Sequence, residues 1–477
     1  MCTALIRLDC GVSQHSLPAA GVQSPLVHST RRTLVVTKLQ RQRRRSAEPF
    51  GRPPLFIDLF AGCGGLSLGL AAAGWRGLFA AESNPDAFST FSANLLAEPS
   101  HRPLASPFDW PTWLPKEPLD VSVLACDYLK QLQRLRGTVQ LLVGGPPCQG
   151  FSSAGRRDAR DRRNGLFRHV IRVADIVRPP LVLIENVRGI DVPLRSNGDN
   201  CSTRKTSSCR PRYSEKIRRS LEKVGYFAEQ GVVRACDWGV PQLRPRFITL
   251  AIRSDLRSPD VPSFFELLLT HRAGFLGEKQ LPVCTHVTVE DAISDLLVSE
   301  HELIPCEDPE SAPGFLEIRY AQPRTAYQRL LHGDLNGARL NSLRLPNHRP
   351  DVRRRFKRIL RTCRKGVQLS PADRTRLGIR KSILVPLSPE RPSHTVTTLP
   401  DDLLHYCEPR IHTVREHARL QSFPDWFEFR GRFTTGGNRR RSQCPRYTQV
   451  GNAVPPLLSE GMGVALLSLL SLLLRKP

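Results

Sequence analysis

The chain has 477 residues, 40% of them hydrophobic, which is enough for two or three domains with a sizeable core. Its 70 Lys and Arg residues against 44 Asp and Glu residues give a formal charge of +26, which favours a polyanionic partner, most simply a nucleic acid, with a basic proteome or a merely solvated basic surface as the alternative. The 13 cysteines form no C-x-x-C pair and the N-terminus shows no secretory pattern, so we expect no metal site, reduced thiols and a cytoplasmic protein.

The first 52 residues show no hydrophobic period, and the arginine-rich stretch RRTLVVTKLQRQRRRSAEPFGRPP (31–54) predicts either a flexible basic arm or a leader without a role. From Leu55 onward, apolar strands alternate with segments of helical period such as 66–74 and 87–95. The predicted strands are LFIDLF (55–60), GLFAAE (77–82), VSVLACD (121–127), VQLLVGG (139–145), LVLIEN (181–186) and RFITLAIR (246–253). This alternation predicts an α/β fold with a doubly wound, Rossmann-like sheet.

After Arg253 the alternation fades and the chain becomes rich in Pro and Arg, which predicts a second, smaller and irregular domain. The predicted organisation is a basic leader (1–52), a first domain (53–254), the small domain (255–440) and a C-terminal segment that returns to the first domain (441–477). A polar stretch, 195–214, is predicted to be a loop. The apolar run 461–474 is shorter than the ~20 residues that span a bilayer, so it predicts a buried helix and no membrane segment.

Polar residues follow several of the predicted strands. Ligands of doubly wound sheets bind at the carboxyl ends of the strands, so these residues are expected to share one cleft. They are Asp58, Glu82, Asp127, Cys148 and Glu185.

The glycine-rich segment DLFAGCGGLSLGL (58–70) lies between a strand and a helix. Gly62, Gly64 and Gly65 let the backbone approach a ligand closely, and the helix N-terminus favours an anionic group. Glu82 ends the next strand and suits a ribose diol. Because the turn has no phosphate-binding pattern, S-adenosylmethionine fits better than a dinucleotide. Asp127 could accept a hydrogen bond from the adenine, although a helix cap is the alternative.

The segment GGPPCQG (144–150) presents Cys148 at a rigid turn beyond a strand, since two prolines fix the backbone before it. Most single cysteines are small buried hydrophobes, but this setting favours a reactive thiolate. Glu185 ends the next strand as a partly desolvated carboxyl that can assist proton transfer. A thiolate, an acid and a methyl-bearing cofactor in one cleft predict attack of the thiolate on C6 of a pyrimidine, assistance of the acid at N3 and methylation at C5.

These residues resemble one known family, the bacterial DNA (cytosine-5)-methyltransferases of the restriction–modification type. The resemblance covers roughly 55–255 and 390–465, with the motifs in the family's order. The motifs are DLFAGCGGLSLG, PPCQGFS, ENV (185–187), GVPQLRPR (239–246), RPSHTVTT (391–398), REHARLQSFPD and QVGNAVPP.

The resemblance implies a role for each matching residue. Cys148 would be the nucleophile and Glu185 its partner at N3, while Arg244 and Arg246 would support the flipped base and its phosphates. The implied cofactor residues are Asp58, Phe60, Gly62, Gly64, Gly65, Glu82, Asp127, Pro146 and Asn452, and the implied substrate residues are Gln149, Ser152 and Gln242. The small domain would recognise the target sequence, mainly through residues 255–345.

The resemblance further implies a monomer that acts on double-stranded DNA by flipping a cytosine out of the duplex. A cognate restriction endonuclease would be a functional rather than a physical partner. Two alternatives stay open from the sequence. One is an RNA (tRNA) cytosine-5 methyltransferase on the same scaffold, and the other is a DNA-binding protein whose active site is inactive.

Overall fold

The computed structural model of the chain describes residues 51–97, 106–147, 162–192, 212–335, 337, 339–434 and 443–475. Most of the predicted leader and of the 195–214 loop lies outside the described residues. So do three predicted site residues, Cys148, Gln149 and Ser152. All the described residues belong to one compact unit, so the predicted boundary near residue 254 stays a prediction.

A six-stranded sheet forms the centre of the fold, in the order β2-β1-β3-β4-β6-β5. Strands β1 to β4 are parallel, whereas β6 and β5 are antiparallel to their neighbours. The strands are β1 (Leu55–Leu59), β2 (Arg76–Ala81), β3 (Leu141–Gly144), β4 (Leu181–Val187), β5 (Tyr226–Arg234) and β6 (Pro245–Arg253). The predicted α/β, Rossmann-like architecture is confirmed, although the sequence reading missed β5.

Helices cover both faces of the sheet because its strands are apolar on both sides. In β1, Phe56 packs into one core cluster, while Ile57 and Leu59 pack into the other. The helices of this part are α1 (Gly65–Ala73), α2 (Pro85–Leu95), α3 (Val121–Asp127), α4 (Leu129–Arg134), α5 (Phe167–Val177) and α6 (Tyr213–Lys223). The last two residues of the predicted 195–214 loop therefore belong to a helix.

The predicted strand over 121–127 is wrong, because this segment is helix α3. Asp120 caps the helix by accepting a hydrogen bond from the Ser122 amide at 2.7 Å. Val121, Leu124 and Ala125 are buried at helical spacing, a pattern that an alternating strand does not give. Beside β2, on the side away from β1, the described residues form only an isolated bridge between Gly77 and Phe108.

The region predicted to be irregular contains short elements around two small hydrophobic clusters. Its helices are α7 (Phe264–Glu278), α8 (Val289–Ile293), α9 (Ala326–His332), α10 (Pro350–Thr362), α11 (Pro371–Arg376) and α12 (Val414–Leu420). Its strands are β7 (Leu303–Pro305), β8 (Leu316–Ile318), β9 (Val385–Pro386) and β10 (Leu403–Leu404). The first of these helices, α7, packs instead on the central domain.

The C-terminal segment returns to the sheet as α13 (Arg446–Asn452) and α14 (Pro456–Leu474), and α14 packs against α1 and α7. Its 19 residues exceed the apolar run read from the sequence. Among the described residues, the helical stretch 446–474 is long and apolar enough to cross a membrane, and 72% of its most apolar window is buried in the protein. Length therefore did not exclude a membrane span; its burial identifies it as a core helix.

Two helical glycines provide a matched test of this packing. A Cβ on Gly461 of α14 would lie 2.1 Å from the Trp238 ring, whereas Gly274 of α7 has no described atom within 4 Å. We expect Gly461→Ala to lower the free energy of unfolding by about 1–3 kcal/mol through overpacking. Gly274→Ala should raise it by about 0.5–1 kcal/mol, because alanine is the better helix former. Denaturant titration measures both, and a stable Gly461→Ala protein would contradict the packing of α14.

Candidate active site

The parallel strands β1, β2 and β3 end at the same level of the sheet, since Leu59, the last residue of β1, is in register with Ala81, the last residue of β2. Leu59 of β1 is in register with Gly144 of β3, which is in register with Ile184 of β4. The amide of Gly145 donates to the carbonyl of Leu59 at 3.3 Å, which holds the segment after β3 beside the turn after β1. The predicted convergence of the strand ends is therefore present for β1, β2 and β3, and Glu185 of β4 follows the residue in register with Gly144.

The turn after β1 has a left-handed backbone. Phe60 has φ 61°, Gly62 58° and Gly64 98°. Gly64 is the N-cap of α1, and a Cβ there would lie 2.6 Å from Leu95. A Cβ on Gly65 would lie 2.3 Å from the carbonyl oxygen of Val454. Only glycine can be accommodated at positions 64 and 65, because α2 and the C-terminal segment pack directly against the backbone there.

Glu82 connects the end of β2 to this turn. Its Oε2 accepts a hydrogen bond from the Gly62 amide at 2.9 Å, and its Oε1 accepts one from the Asn84 amide at 2.7 Å. Burial raises the pKa of this carboxyl. A Cβ on Gly62 would have no described atom within 4 Å other than those of its chain neighbours. Open space therefore adjoins the Glu82 carboxylate, which is bonded to the Gly62 amide. This cradle of a glycine turn beside an acid fits the amino-acid and ribose parts of a nucleoside cofactor.

Asp58 does not lie on the surface of this cleft, contrary to the sequence prediction. It is 1% exposed within β1, and its Oδ2 accepts a hydrogen bond from the Ser67 hydroxyl at 2.6 Å. Burial raises the pKa of the Asp58 carboxyl to about 7. The carboxyl therefore supports α1 from beneath the glycine turn, rather than offering an open contact to a cofactor.

The other predicted cofactor residues occupy different positions. The ring of Phe60 is half-buried, and Pro146 is buried. Asn452 is exposed at the end of α13, next to Ala453 and Val454, which contact Gly65. Asp127 is exposed at the end of α3 and does not end a strand. The cofactor roles of these residues stay predictions, and the strand-end argument for Asp127 no longer supports its role.

Glu185 and Arg246 form an ion pair across the antiparallel junction of β4 and β6. Arg246 Nε lies 2.7 Å from Glu185 Oε1, and the two side chains are only 7% and 12% exposed. The second carboxylate oxygen, Oε2, has no hydrogen-bond partner within the described residues. It lies 3.5 Å from where a Cβ of Gly145 would be. The Asn186 side-chain amide donates to the carbonyl of Pro146 at 3.5 Å. Glu185 thus lies beside the segment that leads to residue 148.

Gln242 and Arg244 are buried and face inward, so the structure does not support their predicted contacts with DNA. The Arg244 guanidinium, 1% exposed, donates to the carbonyls of Val396, Gly451 and Ala453 at 2.8–2.9 Å. Gln242, which is fully buried, accepts from the Val396 amide at 2.7 Å. Together they join three distant segments of the chain at the base of β6, and we call them the buried brace.

A third residue, Gln421, also belongs to the buried brace, and the sequence reading missed it. Its Oε1 accepts from Gln242 Nε2 at 2.8 Å, and its Nε2 donates to the carbonyl of Val450 at 2.7 Å. It lies in the REHARLQSFPD motif, at the end of α12, where every residue is buried. A fully buried amide needs partners for both its oxygen and its nitrogen. The sequence contains no signal that identifies those partners.

One group of described residues has the composition of a metal site, namely Cys236, Asp237 and His286. Asp237 is already paired with Arg234, whose Nε and Nη2 lie 2.9 and 3.0 Å from its two oxygens. A guanidinium in this position opposes a second cation, so the group carries no metal proposal.

Comparison with known proteins identifies the class. The sequence model of the family of C-5 cytosine-specific DNA methylases matches residues 55–104 and 127–467. The chain therefore belongs to this family of DNA cytosine-5 methyltransferases. The Type II methyltransferase M.DdeI of Desulfomicrobium norvegicum is 31% identical over 423 residues, which are 85% of this chain and 86% of that protein. The Type II methyltransferase M1.HphI of Haemophilus parahaemolyticus is 28% identical over 423 residues, 87% of each chain.

A solved structure shows the same fold. It is a DNA modification methyltransferase encoded within a prophage of E. coli, with a TM-score of 0.57 and 24% sequence identity. The match covers 87% of this chain and 99% of that one. The family and the fold read from the motifs are thereby confirmed.

Arg244→Met tests the brace. The substitution removes donors from three buried carbonyls, so we expect the free energy of unfolding to fall by about 3 kcal/mol or more. Leu243→Ala, at an exposed neighbouring position, should stay within about 0.5 kcal/mol of the wild type. Denaturant titration measures both. An Arg244→Met protein of unchanged stability but low activity would instead restore the predicted contact with DNA.

Asp58→Asn tests the buried carboxyl. Burial raises the pKa of the Asp58 carboxyl from its ordinary value of 3.8 to about 7, so this carboxyl stabilises the protein fully below about pH 4 and loses that contribution as pH rises through about 7. The unfolding free energy of the variant minus that of the wild type should therefore rise by about 2–3 kcal/mol between about pH 5 and 8.

Ser67→Ala is the companion variant. The Ser67 hydroxyl favours the carboxylate form of Asp58. Its removal should therefore raise the pKa of Asp58 further and move the loss of stability to higher pH. A difference between Asp58→Asn and the wild type that does not change with pH would show that Asp58 is not buried as described.

Proposed function

We propose that the chain transfers a methyl group from S-adenosyl-L-methionine to C5 of a cytosine within a specific duplex DNA sequence, through a covalent adduct with Cys148. One observation carries the proposal: Glu185, oriented by Arg246, lies beside Gly145, three residues before Cys148. A nucleophile and an acid at the same edge of a sheet are what addition to a pyrimidine ring requires.

The chemistry follows from these two groups. The Cys148 thiolate forms a bond to C6. The C5–C6 π electrons form a C4–C5 double bond, and the C4–N3 π electrons move to N3, which takes a proton from the Glu185 carboxyl. C5 is then nucleophilic and would form a bond to the methyl carbon while the bond from that carbon to the sulfonium sulfur of the cofactor breaks, so S-adenosylhomocysteine would leave as a neutral thioether. A base removes the proton from C5, the S–C6 bond breaks, and N3 returns its proton, so the thiolate and the carboxyl are regenerated.

The cofactor would supply the methyl group as an electrophile. Its ribose would pair with Glu82, its amino-acid end would lie at the glycine turn and the N-terminus of α1, and Phe60 would line the adenosine pocket. Asn452 would close this side from the C-terminal segment. The open space at Gly62 beside Glu82 supports this placement.

A base in a duplex cannot reach a thiol at the end of a sheet without leaving the stack, so the target cytosine would be flipped out of the helix. The ion pair with Arg246 would hold the Glu185 carboxyl in place to contact the flipped cytosine. The small domain (255–440) would recognise the sequence around it, with residues 255–345 as the stretch that reads the bases. The net charge of +26 supports a polyanionic substrate.

The biological role would be to protect bacterial host DNA from a cognate restriction endonuclease, which acts on the same sequence without binding this chain. The relatives named above are Type II methyltransferases, which supports this role. The enzyme would act as a monomer in the cytoplasm, on the DNA of the nucleoid.

The test is methyl transfer by the full chain to duplex DNA and to tRNA, with labelled S-adenosylmethionine and bisulfite sequencing of the DNA product. We expect labelled 5-methylcytosine at one recurring sequence. Cys148→Ala should lower the rate roughly 10⁴-fold or more, and Glu185→Gln by about 10²–10⁴-fold. Cys126→Ala, which removes an exposed cysteine, is the matched control and should retain full activity.

The outcomes separate the alternatives. Label in tRNA but not in DNA would show the RNA methyltransferase, and tight DNA binding without turnover would show the inactive DNA-binding protein. Duplex DNA containing 5-fluorocytosine should trap the wild-type chain covalently, and it should fail to trap Cys148→Ala. Equal trapping of both proteins would overturn the assignment of the nucleophile.

A further inference from the structure

Helix α10 (Pro350–Thr362) and the turn after it carry the densest group of exposed cations in the described chain. These are Arg353, Arg354, Lys357, Arg358, Arg361, Arg364 and Lys365. Arg354, Arg358 and Arg361 follow one another at helical spacing, so they form one stripe along the helix. We call this stripe and its flanking cations the α10 face.

The opposite side of the helix fixes how the α10 face is presented. Phe356 is 8% exposed and Ile359 is fully buried, and both pack in a small core with Leu369 and Leu404. Val352, Leu360 and Cys363 pack against the same core. Because this apolar side is held inward, the cations are held outward as a fixed surface.

Protein carboxylates do not neutralise the α10 face within the described residues. The acid on the helix, Asp351, pairs instead with Arg349 at 3.6 Å. Helix α6 provides the contrast, since Glu215 there pairs with both Arg218 and Arg219 at 2.7–2.8 Å. Like charges one helical turn apart destabilise a helix by about 0.2–0.5 kcal/mol per pair. A bound polyanion would remove that repulsion.

Hydrogen bonds connect α10 to the active site. His394 and the carbonyl of Gly366, four residues after the helix, are hydrogen-bonded at 3.0 Å. Two residues further, Val396 bonds to both Gln242 and Arg244 of the buried brace. The brace precedes β6, which carries Arg246 and its contact with Glu185. The α10 face is therefore held at a fixed position relative to the catalytic cleft.

We propose that the α10 face binds the phosphates of the duplex outside the recognition sequence, and so sets affinity without reading bases. The proposal rests on the proposed function, because it takes DNA as the substrate. Arginines suit phosphate by charge and by their planar hydrogen-bonding groups. From Arg354 to Arg361 the stripe is ~10 Å long at 1.5 Å per residue, which matches about three successive phosphates of one strand.

The experiment compares two double variants of the full chain that remove the same charge. Arg354→Gln/Arg358→Gln changes the α10 face. Lys130→Gln/Arg134→Gln changes two exposed cations, also four residues apart, on α4. This helix leads into the start of β3, so it lies toward the edge of the sheet opposite the strand ends.

We expect the α10 variant to bind duplex DNA about tenfold more weakly at ~0.1 M salt, with a salt dependence of log K shallower by nearly 2, because each phosphate contact contributes about 0.9. The control should match the wild type. At saturating DNA the α10 variant should keep the wild-type kcat and the same methylated sequence. On a duplex cut back to the recognition sequence, the α10 variant and the wild type should bind alike.

An α10 variant whose affinity and salt dependence equal those of the control would overturn the inference while leaving the proposed function intact. Loss of affinity for tRNA alone would overturn it in favour of RNA as the partner. A change in the methylated sequence would show that α10 reads bases, which also contradicts it. A wild-type chain that methylates no DNA would refute the proposed function itself, and is recognised before any variant is made.

Discussion

The buried Arg244 guanidinium is the interaction on which the site depends. A charge removed from water costs several kcal/mol unless hydrogen bonds compensate it. Here the compensation comes from carbonyls at 396, 451 and 453, contributed by two segments far apart in the sequence. Because the same guanidinium satisfies all of them, those segments and the start of β6 must assemble together. The brace therefore couples the C-terminal return of the chain to the strand that carries Arg246.

The position of Glu185 follows from the change of strand direction at β4. On one side β4 pairs in parallel with β3, which brings the Gly145–Pro147 segment alongside, and on the other it pairs antiparallel with β6. The antiparallel register sets Val187 opposite Arg246, so the guanidinium reaches back to the carboxylate. In a wholly parallel sheet the start of β6, which carries Arg246, would lie at the opposite end of the sheet from Glu185.

The excess of basic residues serves two physical purposes, which composition alone cannot separate. Some arginines lie in the interior, where Arg419 pairs with Asp295 and Asp425, and Arg446 pairs with Asp308. These cations hold segments of the fold together and are inaccessible to any partner. Others, such as those of α10, are exposed and unneutralised by described carboxylates. Only the second group contributes to the field that attracts a nucleic acid.

The sequence by itself determined the class of fold, the family and, to within one residue, the ends of β1 to β4, because continuous apolar runs, glycine turns and ordered motifs are local signals. It could not determine that 121–127 is a helix, since an apolar run of that length suits either structure until packing selects one. Nor could it show that Arg246 and Arg244 have different roles. Arg246 pairs with Glu185, whereas Arg244, two residues earlier, is buried and holds the fold together. Burial and hydrogen-bond partners come from distant segments, so only the tertiary structure decided them.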